Sequence, residues 1–375
     1  ANSGNGLRNA VLILVAAAFI GGCGEQDSAA GIGSSRRIVY PPPGISLIEL
    51  DSAHVVSRDA PSTLAFAIDA DAATGRLVVL DYHAEQPVVV MEATGDVVAR
   101  VGARGQGPHE FQDVGFLSVS DGIASVWDRA LGRVGEVSIE EPTEVSTQRL
   151  PIPEGKRVLE IARLTSGQYI VAGVMGDVLA AKVRPPLFSD SAPNPAAVEF
   201  LGQGAVQLPG TTDAMRAYLS EASIAVNEDR DIIALGYQDT GEMVFARLST
   251  GEVMKVTRPG RWPEPTLAPV ERSGVVAQAP SNFVGYRSVR QSADGVWGLF
   301  VGNTWDKSFG PVDNRDVHAY DWSGQLQAIL RLPIEVDDVA VLGNNLYGAT
   351  NELVPAIVSW EVPESVLGAM RNSRQ

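Results

Sequence analysis

An all-β fold built from one repeated unit is what this 375-residue sequence predicts, and three observations predict it. Short runs rich in Val, Ile, Leu and aromatic residues recur at Arg76–Asp81, Pro87–Met91, Asp96–Val101, Gln168–Ala172, Asp231–Leu235 and Val296–Val301. Each is bounded by Gly, Asp or Asn, the pattern of strands between turns. Helical periodicity is nearly absent, with only Asp213–Ala222 patterned as a short helix. The turns themselves repeat.

The repeated unit is an apolar strand, a turn and a second apolar strand, with its turn ending at Gly75, Gly122, Gly167, Asp231, Gly295 and Asn345. A further turn at Gly95, Gly251 or Gly324 joins a third strand to a fourth. Six such units average about 55 residues, slightly above the usual 40 to 50 of a four-stranded propeller blade. The reading is a β-propeller of six four-stranded blades over residues 40–375, with seven blades as the alternative. The excess length sits in two proline-rich stretches, Arg184–Pro195 and Arg258–Pro265. Proline cannot donate to a strand ladder, so insertions are placed near 184–215 and 258–285. Ring closure calls for an N-terminal strand, placed near Ser46–Leu50, to complete the last blade around Asp337–Trp360 and remove its exposed edge.

Residues 1–23 read as a signal or anchor segment. Arg8 precedes the apolar run Ala10–Gly22, which ends at Cys23, the single cysteine of the chain. As a helix this run would span only about 20 Å, short of the roughly 30 Å hydrocarbon core of a bilayer. Its end, Ile20-Gly21-Gly22-Cys23, resembles the lipobox of bacterial lipoproteins, which implies a lipid on Cys23, export, and attachment to a membrane facing the periplasm or cell exterior. An uncleaved anchor is the alternative. Residues 24–39, rich in Gly, Ser and Ala, have the composition of a flexible linker.

No cysteine follows Cys23, so apolar burial rather than disulfides must hold the body. A net charge of −16 argues against nucleic-acid binding, which needs a basic footprint, and leaves membrane attachment to the N-terminal segment.

In the segment 102–111, Gly105, Gly107, Pro108, Glu110 and Phe111 form a G-x-G-P-x-E-F run, with His109 at the variable position. This run resembles a signature of exported bacterial six-bladed β-propellers, many of them lipoproteins. The resemblance implies fold and location and no single chemistry. From the residues alone, the glycines permit positive φ where the chain leaves a blade, Pro108 fixes the crossing, and Phe111 wedges between blades. A phosphate cradle is excluded, because strand rather than helix follows the glycines.

No catalytic motif stands out. G-x-S-x-G and H-E-x-x-H are missing, and His54, His83, His109 and His318 fall in separate units, read as turn or surface residues. Asp69-x-Asp71 and Asn227-x-Asp229-x-Asp231 lack the glycine and distal glutamate of a calcium loop. No metal or cofactor is therefore expected. Glu160, Asp177, Asp337 and Asp338 are the acids that a channel-mouth site would draw on.

The stretch from Arg258 to Arg287 concentrates cations and aromatics in an acidic chain. Arg258, Arg261, Trp262, Arg272, Phe283 and Tyr286 are its candidate partner-binding residues, being of the types that dominate interface energetics. The function expected is a non-catalytic, membrane-tethered scaffold or extrinsic accessory subunit of a membrane complex, for example a respiratory or photosynthetic one. The alternatives are an exported lyase, lactonase or glycosidase, or a ligand sensor.

Overall fold

The computed structural model describes residues 40–152, 156–174, 178–185, 198–202, 221–259, 267–269, 276–278, 283–304, 315–352 and 354–372. Cys23 and the rest of 1–39 lie outside them, as do Asp177, Arg261, Trp262, Arg272 and nearly all of the expected helix at 213–222.

Two short strands, β1 (Ser46–Glu49) and β2 (His54–Ser57), precede the repeated units. Blade 1 comprises β3 (Ala65–Asp71), β4 (Arg76–Asp81), β5 (Val88–Glu92) and β6 (Val97–Val101). The short pair β7 (Ala103–Arg104) and β8 (Glu110–Phe111) leads to blade 2, formed by β9 (Val114–Ser120), β10 (Ile123–Asp128), β11 (Arg133–Ser138) and β12 (Ser146–Arg149). Blade 3 is β13 (Arg157–Arg163), β14 (Tyr169–Val174), β15 (Ala180–Val183) and β16 (Val198–Leu201). Blade 4 is β17 (Ala222–Asn227), β18 (Ile232–Tyr237), β19 (Met243–Arg247) and β20 (Val253–Thr257). A hairpin of β21 (Leu267–Pro269) and β22 (Val276–Gln278) separates it from blade 5, whose strands are β23 (Phe283–Gln291), β24 (Gly295–Thr304), β25 (Asp316–Asp321) and β26 (Leu326–Arg331). Blade 6 is β27 (Asp338–Leu342), β28 (Asn345–Thr350) and β29 (Ala356–Glu361), completed by β2.

The first strands of the blades pack side by side in the cyclic order β3, β9, β13, β17, β23, β27 and back to β3. That closed ring makes the molecule a six-bladed β-propeller and excludes the seven-bladed alternative. Six apolar clusters occupy the six gaps between adjacent blades. This packing explains the sequence pattern. A middle strand such as Leu77–Leu80 is buried on both faces and reads as a continuous apolar run, whereas the outer strand β20 alternates half-buried with exposed.

Ring closure differs from expectation. His54–Ser57, not Ser46–Leu50, pairs antiparallel with the last blade, at Ser359, Val358 and Ile357. Ser46–Glu49 instead lies parallel to β26 as a fifth strand of blade 5, with Leu47 opposite Ile329. The N-terminal segment thus ties down two neighbouring blades. Blade 3 takes its fourth strand, β16, from the range expected to be an insertion, and the hairpin β21–β22 lies within the second. A C-terminal helix, α1 (Glu364–Asn372), was not foreseen. It buries Val366, Leu367 and Met370 in the seam of blades 5 and 6.

The segment after blade 1 is a tight strap. Gly105 adopts φ 153°, and the Glu110 carboxylate accepts the Gly107 N–H at 2.8 Å. Arg133 of β11 donates to the carbonyls of Gly107 and Glu110, each at 2.6 Å, and Thr147 donates to that of Pro108 at 2.8 Å. Phe111 is fully buried between blades 1 and 2.

Aspartates ending second strands hold the loops at the same end of the blades. Asp81 accepts bonds from Ser62, Thr63 and Leu64, and Asp128 from Gln112 and Asp113. Burial raises the proton affinity of Asp81, but the bonds from Thr63, Leu64 and Ser62 outweigh it and hold the carboxyl below its usual range.

Candidate functional site

The axis of the ring is where residues distant in sequence meet, and it is closed by charge. Arg290 of β23 donates to the Ile68 carbonyl of β3 at 3.0 Å and forms an ion pair with Asp338 of β27. Asp69 of β3 and Glu160 of β13 complete the group, and all four side chains are buried.

These groups also brace neighbouring blades. Asp69 accepts the Val119 N–H of β9 at 2.8 Å, and Asp338 accepts the Ile68 N–H of β3 at 3.0 Å. Ser118 accepts the Arg163 N–H of β13 at 3.3 Å, and Ser223 accepts the Val289 N–H of β23 at 2.9 Å. Ser223 also hydrogen-bonds Glu160. Inner-strand N–H groups thus find acceptors on side chains of the adjacent blade, as buried donors require. The void beside Arg290, lined by Asp69, Ser118, Arg163 and Gln291, measures about 10 Å³, no more than one water requires.

Burial pushes the Glu160 carboxyl up to about 8; Arg290 opposes the rise, and Asp338 adds to it. Burial likewise raises Asp69 to about 6 against the pull of Arg290. A raised carboxyl binds more protons folded than unfolded, so stability falls as pH climbs from the unfolded to the folded value. For Asp69 that window closes near pH 6, and for Glu160 it runs from 4.5 to about 8. His318, lowered by burial from 6.5 to about 3, acts with the opposite sign and only below pH 6.5. Of the three, Glu160 alone titrates above that point. Its expected contribution is a loss of about 2 kcal/mol in unfolding free energy between pH 6.5 and 8, which Glu160→Gln should abolish. Urea unfolding of both proteins at the two pH values checks this, and parallel pH profiles would remove Glu160 as the source.

A second polar group lies between blades 4 and 5. His318 of β25 is fully buried, which corrects its reading as a turn or surface residue. Its Nε2 lies 2.8 Å from the Tyr40 hydroxyl and its Nδ1 2.9 Å from that of Tyr286, while Phe300 stacks on the ring at 4.4 Å. Tyr40 also donates to Asp316 at 2.8 Å, and Arg331 grips Asp316 through two bonds of 2.7 and 2.8 Å. Tyr40, the first of the described residues, is thereby pinned inside the fold.

Of the acids named for a channel-mouth site, Glu160 and Asp338 do converge. Asp337 points elsewhere, to Arg287 at 2.7 Å and Asn351 at 2.6 Å. The two aspartate-rich turns do not converge: Asp71 caps Thr74, Asn227 caps Arg230, and Asp231 binds Ser249. Of the partners that complete the axial group, Asp69 stood out only in the Asp69-x-Asp71 pattern, read as a turn, and Arg290 carried no local motif. Their signal was only a charged residue inside an apolar inner-strand run.

Among the candidate partner-binding residues, Arg258 is exposed and pairs with Glu242. Phe283 opens β23 half-buried. Tyr286 is corrected: at 1% exposure it belongs to the core and is not available to a partner. It follows Phe283 on a β-strand whose register turns its ring inward, against His318 and Tyr320.

No family model matches the chain, and no curated protein matches it. Similar solved structures include the β-propeller domain of Myceliophteria thermophila Cps50 (Swd1), at 13% identity and TM-score 0.46, covering 83% of this chain and 99% of that one. The RRP9 WD40 repeats give 10% identity and TM-score 0.49, covering 83% and 100%. Regucalcin from Agrobacterium tumefaciens, described as a calcium-binding protein, gives 13% and 0.47, covering 84% and 95%. The chain is a six-bladed β-propeller on the strength of its own closed ring of sheets.

Proposed function

We propose that this propeller is a non-catalytic binding scaffold, held at a membrane on the exported side by its N-terminal segment and serving as an accessory subunit of a membrane complex. One observation carries the non-catalytic part of the reading: the axial carboxylates, where a propeller enzyme would gather its catalytic acids, are spent on bracing the blades. The raised proton affinity of Glu160 is of the kind found in acid–base catalysts. Yet the void in direct contact with Asp69 and Arg290, about 10 Å³, is smaller than a substrate.

The tether rests on the lipobox-like ending at Cys23 and the linker 24–39. The partner contact is assigned to the loop region carrying Arg258, Arg261, Trp262, Arg272 and Phe283, whose residue types suit an interface. Purification from native membranes in mild detergent should return companions in fixed ratio, and Arg261→Ala with Trp262→Ala should reduce their retention. A chain that purifies alone would refute the subunit reading, and undiminished retention in the double variant would refute the loop as the contact. Intact mass of the same sample should show a lipidated terminus at Cys23.

A further inference from the structure

The face carrying the turns after the inner strands is hollowed into a bowl of about 870 Å³, open to solvent. That volume lies in the upper part of the range typical of ligand pockets. Val119, Val226, Val341 and Leu367 are among the apolar side chains that line it, and Arg163 and Gln291 are shared with the small axial void.

The charge around it is one-sided. Five carboxylates line the bowl, those of Asp71, Asp121, Glu228, Asp229 and Asp294, against the two guanidinium groups of Arg163 and Arg371. Both cations are already engaged, Arg163 with Glu136 at 2.7 Å, and Arg371 with Asp294 and Glu364 at 2.9 Å each. Asp71 is bound to Thr74, and Glu228 to Thr165. Asp121 and Asp229, exposed at the tips of the blade 2 and blade 4 turns, have no hydrogen-bond or ion-pair partner among the described residues.

A separate feature also points to a ligand. Tyr347 of blade 6 is only 5% exposed, lines the bowl, and its hydroxyl has no hydrogen-bond partner among the described residues. Burial raises its proton affinity, so the group stays a neutral phenol. With the ring packed and only the hydroxyl side reaching the bowl, this oxygen is free to exchange its water for a polar group of a ligand.

We propose that the bowl receives a basic peptide segment of a partner protein, with Lys or Arg side chains directed to Asp121 and Asp229, apolar side chains against Val119, Val226, Val341 and Leu367, and a polar group meeting the Tyr347 hydroxyl. Acids on alternate blades favour an elongated ligand with two or more separated cations over a single compact ion. Long basic side chains also suit a wall that mixes apolar side chains with acids, because their methylene stems bury while their charged ends do not. The inference deepens the scaffold reading and rests on it.

Calorimetric titration of the full chain in detergent, with the capped peptide KLKVK as probe, tests it. Binding is expected at low ionic strength and should weaken as salt screens the acids. Asp121→Asn with Asp229→Asn should weaken it about tenfold, and Tyr347→Phe about threefold. Both asparagines suit exposed turns, the one at 121 also tolerating the positive φ of 53° found there. Absence of binding, equal affinity in the double variant, equal binding of the peptide ELEVE, or tighter binding of spermidine would each overturn the proposal. Companions retained undiminished by the double variant in native membranes would also count against the bowl while leaving the scaffold reading intact. A wild-type chain that purifies alone would count against the scaffold itself.

Discussion

Arg290→Met is expected to destabilise the propeller by about 3–5 kcal/mol, the cost of breaking a buried ion pair from one side. The methionine fills much of the volume, so the loss is electrostatic. Asp338 remains buried beside Asp69 and Glu160 without the cation that balances them, and the Ile68 carbonyl loses its donor. Because Arg290 holds down the proton affinity of both Asp69 and Glu160, its removal should raise both further and make the loss larger at pH 8 than at pH 6. Adding Asp338→Asn should recover part of the loss, since that change takes away the uncompensated charge. Urea unfolding with the slope held constant reads these values. A single-variant cost under about 1 kcal/mol would mean that the axial group is not a brace.

Phe111→Ala is expected to cost a similar amount, about 3–5 kcal/mol, for a different reason. The ring is fully buried and lies against two glycines whose missing side chains make room for it. A Cβ at Gly135 would fall 2.5 Å from the ring and one at Gly102 2.9 Å from it. Truncation leaves a cavity between blades 1 and 2 that rigid strands on both sides cannot close. Phe111→Leu refills most of that space and should cost less, about 1–2 kcal/mol. Equal costs for the two variants would indicate that the strap, rather than the ring, holds the blades there. A Gly135→Ala variant, pushing against the same ring from the other side, should itself destabilise by about 1–3 kcal/mol.

The parts of the fold that sequence made legible are those with local causes. Val–Ile–Leu runs between glycine and aspartate turns announce strands because each turn needs its positive φ or side-chain cap within a few residues. Gly75 at φ 74° ends one such turn, and Asp231 at φ 56° serves in blade 4. The closing strand is a different case. Ser46–Glu49 and His54–Ser57 both have short strand-compatible sequences, and the choice between them depends on partners at Arg331 and Ser359, some 300 residues away. Tyr286 and His318 mislead for the same reason. Their residue types suit a surface, and only the register of β23 and β25 turns them inward, where each satisfies the other's polar atoms.

By itself, the sequence determined that the chain is a repeating β-structure with blade-sized units, because short apolar runs and turn chemistry are written residue by residue. It also determined the acidity that leaves a bowl on one face able to attract cations. Tertiary structure alone decided which strand closes the ring and which charges meet at the axis. Asp69, Glu160, Arg290 and Asp338 come from four different blades, and nothing between neighbouring residues records that convergence. The physical reason is the same throughout. Strand and turn preferences are set by nearest neighbours, whereas a buried charge or an edge strand is stabilised only by partners that the closed ring brings to it.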